Sequence, residues 1–263
     1  MINLDYTLEA VIQLSKKVAV FIMLEGRIFK RERIEEKGLN DLVSYVDKAA
    51  EKRIVEGLKL ILPEAGFITE EGTASEDGEE YKWIIDPLDG TTNFIHGLPI
   101  FAISIALMRN DEIILGVIYE PNREECFYAI KGGEAFCNER PIKVSSMPSL
   151  KGSLLATGFP YYHFEQLPQY LNLLDYFMRS THGLRRMGSA AIDMAYVACG
   201  RFEGFFEYNL NAWDIAAGTL IVQQAGGKVT DFEGGKNYLF GRSMIAAGAN
   251  HREILKAIKK HWN

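Results

Sequence analysis

The spacing of apolar residues changes along this chain, and that change limits the available folds more than any other feature. Residues 4–25 carry apolar side chains three and four positions apart, which predicts an amphipathic helix with Gly26 at its end. Asp41 suits the N-cap of a second helix that ends at Leu62, because Pro63 follows. From residue 66 the period becomes that of strands, and from residue 153 strand and helix patterns alternate. The pattern therefore predicts an α+β chain.

Short strand patterns fill the middle of the chain, and helix patterns return near its end. We expect strands at residues 66–69, 83–85, 101–108, 112–119, 125–130, 135–144, 153–157, 203–207, 227–230 and 243–247. We expect helices at residues 164–177, 189–199 and 212–224, and a last one that Asn250 caps and that ends near Lys260. This order predicts sheets sandwiched between helix layers, in one domain over residues 1–263. The polar connection at 145–152 divides that domain into halves at 1–147 and 148–263.

Composition narrows the classes of partner. A formal net charge of −6 over 263 residues gives no sign of the basic face that nucleic-acid-binding proteins carry. The longest strongly apolar run, residues 100–108, is about half as long as a membrane helix. Three cysteines without a CxxC spacing, and a start without a signal-peptide pattern, predict reduced thiols in a cytoplasmic protein. We expect neither a nucleic-acid partner nor a membrane.

The most informative segment is residues 83–94. A buried strand is expected to carry Asp86 to its carboxyl end, where α/β proteins place their ligands. Pro87 then starts a turn that returns a second carboxylate, Asp89, to the same place. Leu88 can bury its side chain and leave its carbonyl oxygen facing the cleft. Two carboxylates and a carbonyl make a hard oxygen site, which suits Mg²⁺ or Mn²⁺ better than Zn²⁺.

The residues that follow suit an anion. Gly90 lets the backbone come close to a ligand, and Thr91 or Thr92 can cap a short helical turn whose free N–H groups suit phosphate. A plainer interpretation stays open, because Pro-x-Asp-Gly is also a common turn that needs no metal.

Two related motifs differ from this one. An EF-hand loop needs acidic residues at its third and twelfth positions, where this segment has Leu88 and Gly97. The haloacid-dehalogenase phosphatases carry Asp-x-Asp, with the first aspartate as nucleophile, whereas two residues separate Asp86 from Asp89. Covalent catalysis by Asp86 is therefore the second mechanism to consider.

Two further segments supply acidic residues. Glu70 and Glu71 end the strand before the polar loop at 71–80, and adjacent glutamates repel unless solvent or a cation faces one of them. Asp214 lies in the first turn of an apolar helix, where an aspartate also simply favours the helix dipole.

Taken together, these segments resemble the inositol monophosphatase family. The resemblance is carried by Asp86-Pro-Leu-Asp-Gly-Thr-Thr-Asn-Phe94, by Glu70-Glu71, and by Trp213-Asp-Ile-Ala-Ala-Gly218 with Gln224-Ala-Gly-Gly227. Smaller matches lie at residues 41–47, 133–138 and 185–191. Their order agrees with the family from about residue 10 to the last helix.

The resemblance implies a layered αβαβα sandwich, a homodimer, and two or three Mg²⁺ ions, with Mn²⁺ as a substitute. It implies metals and catalysis in the half at 1–147 and substrate binding in the half at 148–263. The implied metal ligands are Glu70, Asp86, the Leu88 carbonyl, Asp89 and Asp214. The implied catalytic residues are Glu70 and Thr91, which activate water, and Asp47, which supports Thr91. The implied contacts to phosphate and to substrate hydroxyls are Gly90, Thr91, Thr92, Gly188, Ser189, Ala190, Glu207 and Asp214.

The pair Arg185-Arg186 has two interpretations: a clamp for a second substrate phosphate, or a solvated or dimer-interface pair.

The family resemblance implies Mg²⁺-dependent hydrolysis of inositol-1-phosphate by water. Two alternatives remain. One is a fructose-1,6-bisphosphatase or broader sugar phosphatase on the same site. The other is a regulatory protein that binds the transcription or ribosome-maturation machinery.

Overall fold

The computed structural model of the chain describes residues 2–29, 34–38, 41–74, 80–160 and 164–262, and only the backbone of 34–38 and 41–43. Within these residues the α-helices are α1 (Leu4–Ile28), α2 (Tyr45–Ile61), α3 (Thr91–Ile95), α4 (Leu167–Ser180), α5 (Ala190–Ala198), α6 (Ala212–Gln224) and α7 (His251–His261). The helices expected from the sequence are all present. The one expected at 164–177 begins later, because a 3-10 turn at Phe164–Gln166 precedes α4.

The two N-terminal helices differ from expectation at their ends. α1 continues past Gly26, so the prediction that this glycine ends the helix is wrong. A Cβ at Gly26 would lie 3.1 Å from the ring of Phe94, and this close packing explains a glycine inside a helix. Asp41 does not cap α2, because Ser44 does: its hydroxyl accepts from the N–H of Val46. Asp41 begins a short strand instead.

The strands form two large sheets and one small one among the described residues. β1 (Ile34–Gly38) pairs antiparallel with β2 (Asp41–Ser44). The larger sheet holds, in chain order, β3 (Gly66–Thr69), β4 (Tyr81–Asp89), β5 (Ala102–Arg109), β6 (Glu112–Glu120), β7 (Glu125–Ile130), β8 (Ala135–Cys137) and β9 (Arg140–Ile142). The second sheet has the order β11-β10-β12-β14-β13, from β10 (Leu154–Thr157), β11 (Gly183–Arg185), β12 (Gly204–Tyr208), β13 (Lys228–Thr230) and β14 (Ser243–Ala247). Only the β3–β4 pair is parallel in the larger sheet, whereas β11, β10 and β12 run parallel in the second.

One strand prediction needs correction, and three strands were not predicted. The single strand expected at 135–144 is two strands, because Asn138 and Glu139 both have positive φ, 46° and 65°, and form a tight turn between β8 and β9. β1, β2 and β11 carry too little apolar alternation to be predicted. Of the polar loop expected at 71–80, residues 75–79 lie outside the described part.

The layers follow from which faces are apolar. α1 and α2 pack on one face of the larger sheet, α5 and α6 lie between the two sheets, and α4 and α7 cover the outer face of the second sheet. α6 is buried along most of its length, as its continuous apolar sequence requires. The fold is therefore the layered αβαβα sandwich that the sequence resemblance implied.

The core between the sheets contains residues from both expected halves, for example Ile84 and Phe127 with Ala191 and Phe205. The division of the domain into halves at 147/148 stays a prediction.

Among the described residues, no helix has the length and apolarity to cross a membrane.

Candidate functional site

The site begins at an irregularity in β4. Asp86 pairs with Ser104 of β5, but Asp89 pairs with Ala102, so β4 carries one extra residue at this point. On a regular strand, residues three apart face opposite sides, and a one-residue bulge reverses that. Asp86 and Asp89 therefore face the same way. The expectation that the strand ends at Asp86 is wrong, because β4 continues to Asp89.

The backbone after the bulge is fixed by small, local contacts. Leu88 is buried at 1 % exposure, and its N–H donates to Asp86 Oδ1 at 3.0 Å. Gly90 has φ 104°, and a Cβ there would lie 2.9 Å from the Ile100 carbonyl, so only glycine fits. Gly90 holds the N-cap position of α3, and Thr91 is its first residue. The prediction that Thr91 or Thr92 caps this turn is therefore wrong.

Asp86 is the most buried acid of the group, at 2 % exposure. Burial raises the pKa of its carboxyl well above the ordinary value, and the nearby charges of Glu70, Asp89 and Asp214 raise it further. A hydrogen bond between Asp86 and Glu70 acts in the same direction. The structure thus brings together the four carboxylates that the sequence placed on three separate segments.

Asp89 is held by the start of α5. Its Oδ2 accepts from the Ser189 hydroxyl at 2.6 Å and from the Ala191 N–H at 2.6 Å. Burial raises the pKa of Asp89 to about 6, while these hydrogen bonds and the charge of Arg186 act against the rise. Ser189, expected to contact substrate, here caps α5 and binds Asp89.

Asp214 serves α6 as well as the site. Its Oδ2 accepts from the N–H of Asn211 at 2.7 Å, as part of a capping box. The helix-capping role and a role at the site therefore coexist, since the same residue also lines the cavity described below.

Asp47 and Thr91 form a pair next to these acids. Asp47, at 0 % exposure, accepts from the Thr91 hydroxyl at 2.6 Å and from the N–H and hydroxyl of Ser44 at 2.9 and 2.5 Å. Burial raises the pKa of Asp47, and the hydrogen bonds from Ser44 and Thr91 oppose that rise. The Thr91 oxygen also lies 3.1 Å from the Leu88 carbonyl.

A cavity of about 300 Å³ opens beside the acids. Its lining includes the predicted site residues Glu70, Asp89, Gly188, Ser189, Ala190, Glu207 and Asp214. Asp86 is buried beneath it. Gly90, Thr91 and Thr92 are outside the lining, around the start of α3.

The two arginines are separated. Arg186 lines the cavity, and its guanidinium lies 5.6 Å from the ring centre of Phe159. Arg185 is exposed and donates to the Leu184 carbonyl at 3.0 Å. Only Arg186 of this pair can meet a substrate in the cavity.

Three residues near the cavity were not predicted from the sequence. Asp193, at 1 % exposure, lines the cavity with a buried Oδ1 that has no hydrogen-bond partner among the described residues. Burial raises its pKa well above the ordinary value. Gly158 leaves room for the Glu207 carboxylate, which a Cβ would overlap. Asn93 joins α3 to the cavity, since its Nδ2 donates to Met187 O at 2.9 Å and Ile100 O at 2.7 Å. Asn93 lay inside the recognised motif, whereas Asp193 and Gly158 gave no signal.

The donor set fits a hard divalent cation. The neighbouring acids and the Glu70 hydrogen bond all raise the pKa of Asp86, and a cation held by these residues would relieve the repulsion between their charges. Among the residues that the structure describes, no three acidic, histidine or cysteine side chains already stand at coordinating positions.

Comparison with known proteins identifies the family of this chain. A profile of the inositol monophosphatase family matches residues 3–263. The chain belongs to this family.

Similar proteins have two kinds of name. The inositol-1-monophosphatase of Mesorhizobium japonicum is 42% identical over 247 residues, covering 90% of this chain and 93% of that protein. The Nus factor SuhB of Haemophilus influenzae is 44% identical over 234 residues, covering 88% of each. Among solved structures, the extragenic suppressor protein suhB of Bartonella henselae has a TM-score of 0.91 at 40% identity, covering 96% of this chain and 98% of that one. The Thermotoga maritima IMPase has a TM-score of 0.87 at 36% identity, with 98% and 96% covered.

Proposed function

We propose that this family member is a Mg²⁺-dependent phosphatase that hydrolyses inositol-1-phosphate by direct attack of water. The observation that carries the proposal is the bulge in β4, which turns Asp86 and Asp89 to one side beside Glu70 and Asp214. Phosphate ester cleavage needs charge neutralisation and an in-line nucleophile, and little else from the protein. The ions, when bound by these four residues and the Leu88 carbonyl, supply positive charge to the phosphate oxygens.

The residues around Thr91 are suited to orient the attacking water. The Thr91 hydroxyl donates its proton to Asp47 at 2.6 Å, so its oxygen is left to accept a hydrogen bond from the attacking water. Glu70 is the base that takes the proton of that water in this proposal. The N–H groups of Gly90, Thr91 and Thr92 are proposed to hold the phosphate.

The other end of the cavity suits hydroxyl groups better than a second phosphate. Glu207 and Asp193 face it with Arg186, so two carboxyl groups accompany one guanidinium. Ionised carboxylates would repel a second phosphate, and neutral ones would still exchange hydrogen bonds with hydroxyls. This composition supports a polyol monophosphate over fructose-1,6-bisphosphate.

A substrate panel tests the proposal. Phosphate release is measured with Mg²⁺ on inositol-1-phosphate, fructose-1,6-bisphosphate and 3′-phosphoadenosine-5′-phosphate, with EDTA as control. We expect kcat/KM for inositol-1-phosphate to exceed the others by about tenfold or more, and EDTA to abolish all release. A preference for the bisphosphate would favour the broader sugar phosphatase, and full turnover in EDTA would exclude the metal mechanism.

A regulatory role is the second candidate, because several relatives, including the 44% identical protein of Haemophilus influenzae, are named Nus factors. We propose that the bacterial transcription or ribosome-maturation machinery is the partner to test, by co-purification with wild type and with Asp89→Asn. Binding that survives this substitution would establish a role independent of catalysis. We also propose that the protein is a cytoplasmic homodimer that binds two or three Mg²⁺ ions.

A further inference from the structure

Helix α2 carries two buried carboxylates one helical turn apart. Asp47 and Glu51 are both at 0 % exposure, and residues four apart lie on the same face of a helix. Asp47 binds Thr91, as described above. Glu51 is not part of the proposed ligand set or of the water-activating pair.

Glu51 binds the turn that directly follows Glu70. One carboxylate oxygen, Oε2, accepts from the N–H of Glu71 at 2.8 Å. The other, Oε1, accepts from the N–H and the hydroxyl of Thr73 at 2.9 and 2.8 Å. Three hydrogen bonds from one side chain therefore hold this turn against α2.

We infer that Glu51 is a positioning residue for Glu70. The backbone N–H of Glu70 donates to the Ile85 carbonyl at 3.3 Å, and the next N–H along the chain donates to Glu51. Gly72, with φ 67°, allows the chain to turn back so that Thr73 reaches the same carboxylate. Glu70 is thereby fixed on both sides, by β4 and by α2. The inference rests on the proposed function, in which Glu70 binds an ion and orients water.

One face of α2 therefore aligns both members of the proposed water-activating pair. Asp47 orients Thr91, and Glu51 orients Glu70 through the backbone of residues 71–73. Because both carboxylates belong to one rigid helix, the two groups keep a constant relation to each other.

The test compares Glu51→Gln with Glu120→Gln. The amide that replaces the Glu51 carboxylate would turn an NH₂ group toward N–H donors and lose at least one of the contacts. Glu120 is the matched control, because it is buried at 1 % exposure on β6, accepts from the Tyr196 hydroxyl at 3.0 Å and is not a proposed site residue. Thr73→Val is a milder variant at an exposed residue, which removes only the hydroxyl contact.

Four readouts separate a positioning role of Glu51 from a role in general stability. In Glu51→Gln we expect the amides of Glu71 and Thr73 to exchange hydrogen about tenfold faster or more. We expect the Mg²⁺ concentration at the midpoint of the thermal shift to rise about 10–100-fold, with a similar fall in kcat. KM should change less than about threefold, since the substrate contacts are untouched. Thr73→Val should change amide exchange, the Mg²⁺ midpoint and kcat in the same direction by less, and Glu120→Gln should lower Tm only.

The outcomes are distinguishable. If wild type shows no Mg²⁺ response and no phosphate release, the proposed function fails. If wild type responds to Mg²⁺ and Glu51→Gln matches Glu120→Gln in Mg²⁺ midpoint and amide exchange, the role of Glu51 is overturned. Should Glu51→Gln fail to fold, Thr73→Val decides, and a wild-type Mg²⁺ midpoint in that variant overturns the inference.

Discussion

The Thr91 hydroxyl donates to Asp47 Oδ1 over 2.6 Å, across 44 residues of sequence. The contact joins the first turn of α3 to the first turn of α2. It fixes the direction of the only proton on Thr91, and a hydroxyl whose proton is fixed presents its lone pairs in a fixed direction.

Thr91→Val should remove the hydroxyl that is proposed to orient the attacking water, with little effect on the fold. The substitution is close in volume but lacks the hydroxyl, so we expect kcat on inositol-1-phosphate to fall about 10²–10⁴-fold. Thr219→Val is the control, because Thr219 is buried at 2 % exposure in α6 and its hydroxyl has no partner in the described part of the chain. Steady-state kinetics and Tm of both variants check the prediction. Equal activity in the two variants would show that the Asp47–Thr91 contact is structural.

Asp89→Asn should fold and lose most turnover. In the absence of metal, burial and nearby acids disfavour charge in this group of carboxylates, so a neutral side chain at residue 89 relieves repulsion. The amide oxygen can still accept from the N–H of Ala191. We expect Tm in EDTA to be unchanged or higher, and the rise in Tm on adding Mg²⁺ to be reduced. An unfolded Asp89→Asn protein would mean that Asp89 is structural.

Gly158→Ala should weaken substrate binding more than chemistry. A Cβ on residue 158 would overlap the Glu207 carboxylate and push it into the cavity. We expect KM for inositol-1-phosphate to rise about tenfold, in the range for one added carbon in a specificity pocket. A small aryl phosphate, which needs no hydroxyl contact, should keep its KM. An equal change in KM for both substrates would place the effect at the phosphate end instead.

The local part of this fold is predictable from sequence. α6 and β14 have the predicted bounds, 212–224 and 243–247, because each is a continuous apolar segment with clear ends. The N-cap of α2 was misplaced because Asp41 and Ser44 are both good caps, and only Asp47, three residues after Ser44, completes a capping box. The Ser44-x-x-Asp47 spacing is visible in the sequence, and the structure shows the hydrogen bonds that make Ser44 the cap.

The site was predictable where its residues share a segment. Asp86 and Asp89 stand close in sequence, but the bulge that turns them to the same side depends on pairing with β5. Glu51 gave no signal, because its partners lie 20 and 22 residues away in an irregular turn. Asp193 resembles any acidic residue early in a helix until the cavity beside it is known.

The protein should lose stability in acid through His251. This side chain, at 4 % exposure, contacts the Thr230 hydroxyl at 3.0 Å, and burial with the charge of Lys228 lowers its pKa to about 4. Because the folded pKa lies below the unfolded one, its contribution is present above about pH 6.5 and is lost as pH falls toward 4. Between pH 7.5 and pH 5 the loss should be about 1–2 kcal/mol. Urea unfolding of wild type and His251→Gln at both pH values measures it, and an equal decrease in both proteins would contradict the assignment.

Hydrolysis should invert the configuration at phosphorus. Two residues separate Asp86 from Asp89, unlike the Asp-x-Asp of aspartyl-nucleophile phosphatases, and the N–H of Leu88 already donates to Asp86 Oδ1, which disfavours Asp86 as a nucleophile. Direct attack by water is a single in-line displacement and inverts the centre, whereas a covalent aspartyl intermediate needs two displacements and retains it. A chiral thiophosphate ester, hydrolysed in isotopically labelled water, separates the two. Net retention, or a trapped phosphorylated Asp86, would assign the reaction to covalent catalysis and leave Glu70 and Thr91 without their proposed role.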